Sequence, residues 1–441
     1  MLKKYQKISI VYILLLVSAG YCYSQTLERR ASWDANISSP ADNIPGAKIV
    51  SVESNSPLEK AGFKADDIII RVDNVLVEND EAWTEMTYGI RSTKTTVIEA
   101  LRGSAVVKKE VKLNPLPIEI HDDLETYYEE VTSRYGITQR IIITKPNKPG
   151  KQPAVVLLGG LSCSSIEVYP GRRGNWVRVI NDLVEKSGMV VMRIEKPGVG
   201  DSQGDCSKSD FNTDLAGYRA AIQMLKSKPY VDASKIVVYG SSMGSALAPL
   251  MANEFDLAGV ISDGTFFKTW FEHMLEIERR IREMRGDTES EILKKMNNYY
   301  IPLYYGMLIQ KKTYKEIEDE YPAIKEFNYH SAQHMYGRPV AYYQQLQDYD
   351  LAGEWEKIKA PVRIMRGTND WIMSSFDNKM IVDVLKKNGH TDHVLYEYPG
   401  LDHWNTIHKT PKDSFVGNPG EWEDDISMII VNWARELAGL E

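Results

Sequence analysis

The segment Gly240-Ser241-Ser242-Met243-Gly244 lies between an apolar run and a helical pattern. Residues 236–239 predict a buried strand, and residues 242–252 have the spacing of a helix. A serine at such a tight strand-to-helix turn holds its hydroxyl clear of the sheet, and the flanking glycines leave room for the turn. The helix N-terminus also favours developing negative charge. Ser242 is therefore the candidate nucleophile.

A second copy of the same glycine-x-serine-x-glycine pattern tests how specific this signal is. Gly200-Asp201-Ser202-Gln203-Gly204 matches it too, but the residues that follow are polar and predict a loop instead of a helix. Ser241 is a neighbour in the wrong register. Context thus favours Ser242 over Ser202, and the alternative is a degenerate, non-catalytic copy of the fold.

Strands and helices alternate outward from this segment, from about residue 120 to the end of the chain. An opening hairpin is predicted at 127–133 and 140–144, followed by strands at 154–158, 189–194, 236–239, 257–261, 362–365 and 394–398. Such alternation predicts an α/β fold with a mostly parallel sheet and helices on both faces. Ligands of these sheets bind at the carboxyl ends of the strands.

Two further strand ends carry reactive side chains. Arg366-Gly367-Thr368-Asn369-Asp370 follows one strand, and Pro399-Gly400-Leu401-Asp402-His403-Trp404 follows the last. A neutral His403 at that position would accept the Ser242 proton, while Asp370 fixes its tautomer. Asp263 is the rival for the acid and His408 for the base.

These motifs together resemble the α/β-hydrolase superfamily, and most closely its serine aminopeptidase-like and lipase-like branch. The resemblance covers residues 120–441 and extends to Leu157-Leu158-Gly159-Gly160-Leu161-Ser162, which stands where the family has its oxyanion loop. It implies that Ser242, Asp370 and His403 form a catalytic triad, and that the backbone N–H groups of Leu161 and Met243 bind the oxyanion. It also implies that the loop from Glu195 to Ser202 is structural.

A long helical insertion separates two of the strands. Residues 265–350 are rich in helical spacing and in tyrosine, and the resemblance identifies them as a cap over the strand ends that shapes the substrate pocket. Pockets are commonly lined by aromatic side chains. The alternative for any single tyrosine is that it packs the cap helices against one another.

An N-terminal module at 31–116 combines short strands with little helix. Gly46-Ala47-Lys48-Ile49-Val50-Ser51-Val52, Ser56-Pro57-Leu58-Glu59-Lys60-Ala61-Gly62 and the run from Asp67 to Asp73 resemble a bacterial PDZ domain. The resemblance implies that a peptide C-terminus binds at a sheet edge, near residues 33–37, where Asn36 is expected to be left-handed. The alternative is a PDZ-like fold that positions the enzyme without binding peptides.

The first 24 residues resemble a leader and not part of the fold. Three lysines precede an apolar run of about a dozen residues, which is too short to span a bilayer comfortably. We therefore predict a signal peptide at 1–24, no membrane span after its cleavage, and a periplasmic or secreted protein. The alternatives are an N-terminal membrane anchor and a lipoprotein modified at Cys22, which the bulky Tyr21 disfavours.

Charge and cysteine content narrow the functional classes. The net charge of −8 becomes −11 once the three leader lysines are lost, and an acidic chain is unlike a nucleic-acid binder. Cys163 and Cys206 are then the remaining cysteines, and in an oxidising compartment they are candidates for a disulfide, with two free thiols as the alternative. The cysteines show no metal-binding spacing, and hydrolysis at Ser242 needs neither a metal nor an organic cofactor.

The sequence therefore predicts an exported serine hydrolase that cleaves a carboxylic ester through an acyl-enzyme on Ser242. A serine peptidase acting on short peptides is the second hypothesis, although no acidic cluster marks a site for a free amine. A non-catalytic peptide-binding protein that uses the PDZ-like module is the third. The expected partners are a small acyl ester or a short peptide, with neither nucleic acid nor membrane.

Overall fold

The computed structural model describes residues 27–39, 45–327 and 334–440. The predicted signal peptide at 1–24 lies outside these residues. None of the described helices is both long and apolar enough to cross a membrane.

The larger domain is built on one eight-stranded sheet. Its strands are β9 (Leu124–Thr132), β10 (Thr138–Pro146), β11 (Gln152–Leu158), β12 (Val190–Ile194), β13 (Val231–Ser241), β14 (Gly259–Asp263), β17 (Val362–Gly367) and β18 (His393–Tyr398). They lie in the order β18-β17-β14-β13-β11-β12-β10-β9, and all neighbours from β12 to β18 are parallel. Strand β10 runs opposite to the other seven strands and is antiparallel to both of its neighbours, β12 and β9. The predicted mostly parallel sheet and the α/β-hydrolase fold are confirmed.

Helices cover both faces of this sheet because its central strands are apolar on each side. The helices are α3 (Asn175–Lys186), α4 (Phe211–Ser227), α5 (Met243–Phe255), α12 (Leu351–Lys357), α13 (Ser375–Lys387), α14 (Pro411–Phe415) and α15 (Asp425–Leu437). On β11, Val155 and Leu157 pack with α3 and α15, whereas Val156 and Leu158 pack with α4 and α5. Both faces are thus buried, as a parallel sheet requires.

The cap is mostly helical. It consists of α6 (Trp270–Arg285), α7 (Glu289–Lys295), α8 (Ile301–Tyr304), α9 (Tyr314–Glu320), α10 (Ile324–Phe327) and α11 (Val340–Gln347), with a short hairpin of β15 (His334–Met335) and β16 (Arg338–Pro339). Two π-helical turns, at 296–300 and 305–309, join its central helices. Tyr300, Tyr304, Tyr314, Tyr342 and Tyr343 are buried in its core, so these tyrosines pack its elements together.

The N-terminal module has a separate core. Its elements are β1 (Ala31–Ser32), β2 (Ala35–Ser38), β3 (Ala47–Val52), α1 (Pro57–Lys60), β4 (Ile68–Val72), β5 (Val75–Leu76), α2 (Asp80–Gly89), β6 (Thr96–Arg102), β7 (Ala105–Val111) and β8 (Asn114–Pro115). Strand β2 forms one edge of the module's own sheet, in which the strands lie in the order β2-β3-β4-β6-β7. The left-handed residue before β2 is Asp34, with φ of 47°, so the expectation for Asn36 was wrong. The Asp34 carboxylate accepts hydrogen bonds from Ser32 and Asn114, which favour the turn there.

Arg29 joins the module to the larger domain. Its guanidinium donates to the carbonyls of Leu116 and Pro117 and forms ion pairs with Glu167 and Asp201. Asp201 belongs to the second glycine-x-serine-x-glycine segment, so this segment anchors the N-terminal chain.

Candidate active site

Ser242 stands between the end of β13 and the first residue of α5, in a backbone conformation that few residues adopt. Its φ of 54° and ψ of −121° lie outside the regions favoured by residues with a side chain. Conformations of this kind persist only where the surrounding structure enforces them, and they concentrate at functional sites.

Glycine is required on both sides of Ser242. A Cβ atom on Gly240 would lie 2.2 Å from the Gly244 carbonyl oxygen, and one on Gly244 would lie 2.1 Å from the Leu158 carbonyl oxygen. The tight turn therefore exists because the two glycines let β13, α5 and β11 approach closely.

A continuous chain of hydrogen bonds links three strand ends. His403 Nε2 lies 2.9 Å from Ser242 Oγ, and His403 Nδ1 lies 2.9 Å from Asp370 Oδ2. The other oxygen of Asp370 accepts the backbone N–H groups of Ile372 and Met373 at 2.9 and 2.8 Å. The carboxylate is therefore fixed in orientation, and it can hold the imidazole with Nε2 free to accept a proton.

The pKa values of Asp370 and His403 are shifted in opposite directions from their ordinary values. Burial would raise the pKa of Asp370, but the adjacent His403 outweighs burial and leaves that pKa below its ordinary value. Burial would lower the pKa of His403, but the charge and hydrogen bond of Asp370 outweigh it and raise the pKa above its ordinary value. Asp370 thus stabilises the imidazolium that would form when His403 takes the serine proton.

The rival residues have other contacts. Asp263 accepts a hydrogen bond from Tyr239 at 3.2 Å, and burial raises its pKa to about 7. His408 faces Asp402, with 3.3 Å between Nε2 and Oδ2. Ser202 Oγ is buried and accepts the Arg140 N–H at 2.9 Å. The backbone carbonyl of Asp263 accepts the Ser242 N–H at 2.8 Å. Within the described residues, however, no side chain of the three is hydrogen-bonded to the side chain of Ser242 or His403, so the structure brings together Ser242, Asp370 and His403.

The two predicted oxyanion donors line the cavity beside Ser242. Met243 is the first residue of α5, where a backbone N–H has no partner within the helix. Leu161 follows Gly160, and a Cβ on Gly160 would lie 3.2 Å from Ser242 Cβ, so this loop abuts the nucleophile. The Leu161 and Met243 N–H groups are therefore the candidates for binding a negative oxygen formed at Ser242.

Lys196 holds the oxyanion loop and was not predicted from the sequence. Its ammonium donates to the carbonyls of Gly160 and Ser162, which flank Leu161. Burial lowers its pKa to about 8, so it is charged at neutral pH. Lys196 lies next to Glu195 in a sequence motif that was interpreted as structural, so the sequence did not indicate that its side chain contacts the oxyanion loop.

A disulfide joins Cys163 of the same loop to Cys206. Arg338 of the cap donates to the Cys206 carbonyl oxygen at 3.0 Å and forms a buried ion pair with Asp214. The cap therefore contacts the disulfide at Cys206, which is joined to the oxyanion loop through Cys163.

The triad opens into a cavity of about 650 Å³ that lies under the cap. Its walls are rich in aromatic side chains, which come from both the cap and the sheet loops: Trp176, Trp270, Tyr336, Trp371, Trp404 and Phe415. Among the described lining residues none is Asp or Glu, and the charged one is Arg285. His273 and Arg285 were not singled out from the sequence, although their helical spacing was readable. In the described residues no cluster of three or more potential metal ligands occurs.

Family comparison separates the chain into the same two parts. Residues 28–113 match the PDZ domain model, and residues 173–407 match the model described as serine aminopeptidase, S33. The search of curated proteins found no match.

Among solved structures, an esterase from Pyrococcus furiosus is 13% identical over 73% of this chain and 96% of its own, with a TM-score of 0.44. Acetyl xylan esterase 1 from Thermoanaerobacterium sp. is 17% identical over 72% and 85%, with a TM-score of 0.43. A bacterial brefeldin A esterase is 14% identical over 73% and 79%, with a TM-score of 0.42.

Proposed function

The chain belongs to the serine aminopeptidase S33 family and carries a PDZ domain ahead of its hydrolase domain, and we propose that it is an exported enzyme that cleaves carboxylic esters. The observation that carries this proposal is the hydrogen-bonded chain from Asp370 through His403 to Ser242 at the floor of the aromatic cavity.

The proposed reaction has two halves. Ser242 Oγ attacks the ester carbonyl as its proton passes to His403 Nε2, and the Leu161 and Met243 N–H groups bind the oxyanion. The tetrahedral intermediate collapses, and His403 gives the proton to the departing alcohol, which leaves an acyl group on Ser242. Water then attacks the acyl carbon, with His403 as the base, to release the acid and free Ser242.

The cavity favours an ester over a peptide with a free amine. A substrate ammonium group is usually held by carboxylates, and none of the described cavity-lining residues is acidic. Peptide hydrolysis remains the second candidate, because the matching family model is described as a serine aminopeptidase.

The test compares a short p-nitrophenyl ester with aminoacyl and tripeptide p-nitroanilides. We expect the ester to be hydrolysed far faster, Ser242→Ala to abolish turnover, and Ser202→Ala to retain it as the matched control. A fluorophosphonate probe should label Ser242. Faster cleavage of the anilides would favour the peptidase, and a lack of both turnover and labelling would favour a non-catalytic peptide-binding protein.

Export is supported by the disulfide, because such bonds persist in oxidising compartments. We expect the mature protein in the periplasm or the medium, with an N-terminus that follows the leader. The intact mass of the native protein would show whether the leader has been removed.

Peptide binding at the edge strand β2 stays a prediction, for which titration with C-terminal peptides is the direct measurement.

A further inference from the structure

One stripe of α6 lines the active-site cavity along its whole length. Trp270, His273, Ile277, Ile281 and Arg285 are three or four residues apart, and all five are cavity-lining residues. This spacing places them on a single face of the helix. At a rise of roughly 1.5 Å per residue, about 18 Å separate His273 from Arg285 along the axis. The cavity therefore has an elongated wall with a different chemistry at each end.

The inner end of the wall holds unsatisfied polar atoms. His273 is fully buried, and neither of its ring nitrogens has a hydrogen-bond partner among the described residues. The Trp270 Nε1 atom is also buried, and it has no hydrogen-bond partner in the part of the chain that the structure describes. Burial lowers the pKa of His273 to about 3, so the ring is neutral and offers one donor and one acceptor. Buried polar groups are rarely left unpaired, so this end is suited to a hydroxyl or carbonyl of a ligand.

The ring of His273 is held in place by stacking. It lies 4.8 Å from the Phe266 ring and 4.9 Å from the Trp270 ring, centroid to centroid. The ring is therefore packed between two aromatic side chains, while neither nitrogen is hydrogen-bonded to the described part of the protein.

The outer end of the wall is cationic. Arg285 is exposed, lies 5.9 Å from the Phe415 ring centroid, and has no ion-pair partner in the described part of the chain. Arg279, on the same helix, differs in both respects: it pairs with Glu283 and Glu289, and it does not line the cavity. Ile277 and Ile281 fill the interval between His273 and Arg285, so the middle of the wall is apolar.

We propose that this face of α6 selects elongated esters that carry a hydrogen-bonding group near the scissile bond, an apolar body and a terminal carboxylate. The hydroxyl or carbonyl binds at His273, the body lies along Ile277 and Ile281, and the carboxylate binds at Arg285. This inference rests on the proposed ester hydrolysis and names its substrate class.

The first test measures charge preference with two probe pairs. One pair is the mono-p-nitrophenyl ester of dodecanedioic acid against p-nitrophenyl dodecanoate, and the other is the acetate of ω-hydroxydodecanoic acid against dodecyl acetate. The pairs place the carboxylate on the acyl side or on the alcohol side. In at least one pair, wild type should favour the carboxylate ester by about fivefold in kcat/KM, as for an exposed ion pair.

Charge reversal provides the control. Arg285→Glu should invert that preference, whereas Arg279→Glu should retain the wild-type ratio. Hydrolysis of both pairs without charge preference, or an unchanged ratio in Arg285→Glu, would overturn this inference alone. Failure to hydrolyse any of the four esters, with the short p-nitrophenyl ester still cleaved, would overturn this inference alone, whereas failure on the short ester too would overturn the ester hydrolase proposal as well.

The second test concerns His273. His273→Phe keeps the aromatic stacking but removes both nitrogens, and His273→Asn restores a donor and an acceptor. With p-nitrophenyl 3-hydroxydecanoate against p-nitrophenyl decanoate, we expect wild type to favour the hydroxy ester. The preference should disappear in His273→Phe and return in part in His273→Asn. Equal ratios in all three proteins, with melting temperatures unchanged, would show that His273 has no role in recognition.

Discussion

Lys196→Met tests whether the oxyanion loop is held by a buried cation. The Lys196 ammonium donates to the carbonyls on either side of Leu161, at Gly160 and Ser162. Methionine has a similar volume but no donor, so the variant removes both hydrogen bonds and leaves the space filled. Hydrogen bonds that involve a charged group contribute about 1.5–3 kcal/mol each. Their loss should let the Leu161 N–H turn away from the site.

The expected size of the effect follows from the donor that Lys196 positions. Loss of one oxyanion donor lowers kcat by about 10²- to 10³-fold, which sets the ceiling. The Cys163–Cys206 disulfide still holds the far side of the loop, and Met243 keeps the second donor. We therefore expect kcat to fall by about 100-fold for a p-nitrophenyl ester. KM should change little, because the donor acts mainly in the transition state.

A matched control separates this effect from general loss of a lysine. Lys226 is also partly buried and donates to a carbonyl, that of Phe255 at 2.6 Å, and it does not line the cavity. Lys226→Met should retain wild-type kcat. A folded Lys196→Met protein with kcat within about threefold of wild type would refute the reasoning, since the loop would then hold its shape without the cation.

Three further predictions concern the triad, the cross-link and the turn. His403 must be neutral to act as a base, and Asp370 raises its pKa above the ordinary 6.5, so kcat/KM should fall as the pH drops through a midpoint above 6.5. Asp370→Asn should move that midpoint to a lower pH and reduce kcat by about 10⁴-fold, and an unmoved midpoint in the pH–rate profile would contradict this assignment. The disulfide spans 43 residues, so Cys163→Ser combined with Cys206→Ser should lower the free energy of unfolding by up to about 4 kcal/mol, measured by urea denaturation, whereas an unchanged midpoint would mean that the cross-link does not constrain the unfolded chain. Gly244→Ala should lower the free energy of unfolding by more than about 3 kcal/mol, because its Cβ would lie 2.1 Å from the Leu158 carbonyl oxygen. A soluble variant with the wild-type urea midpoint would show that this turn can relax.

The triad residues were readable from the sequence because of sheet geometry. Parallel strands end at the same edge, so a polar residue just after each strand comes close to the others without any knowledge of side-chain packing. Ser242, Asp370 and His403 each follow a strand, and in the structure His403 is hydrogen-bonded to both of the other two.

The recognition face of α6 was not readable in the same way. Periodicity shows that Trp270, His273 and Ile277 share a face, but it does not show what the face contacts. A helix in a cap has two apolar neighbours, the cap core and the substrate cavity. Next to the cavity-lining stripe, α6 also carries the buried Glu278, bonded to Tyr304, and only the fold shows which residues meet the cavity.

The loop after β12 has a structural role that accounts for its misleading serine. Within a dozen residues Glu195 accepts the Ile166 N–H, Lys196 binds the oxyanion-loop carbonyls, and Cys206 is bonded to Cys163. Asp201 meanwhile binds Arg29 from the N-terminal segment. The oxyanion loop itself has no regular secondary structure, so its shape depends on these side-chain contacts. The residues on either side of the second glycine-x-serine-x-glycine segment thus hold the loop that carries Leu161, and Asp201 within the segment anchors the chain that leads to the PDZ domain.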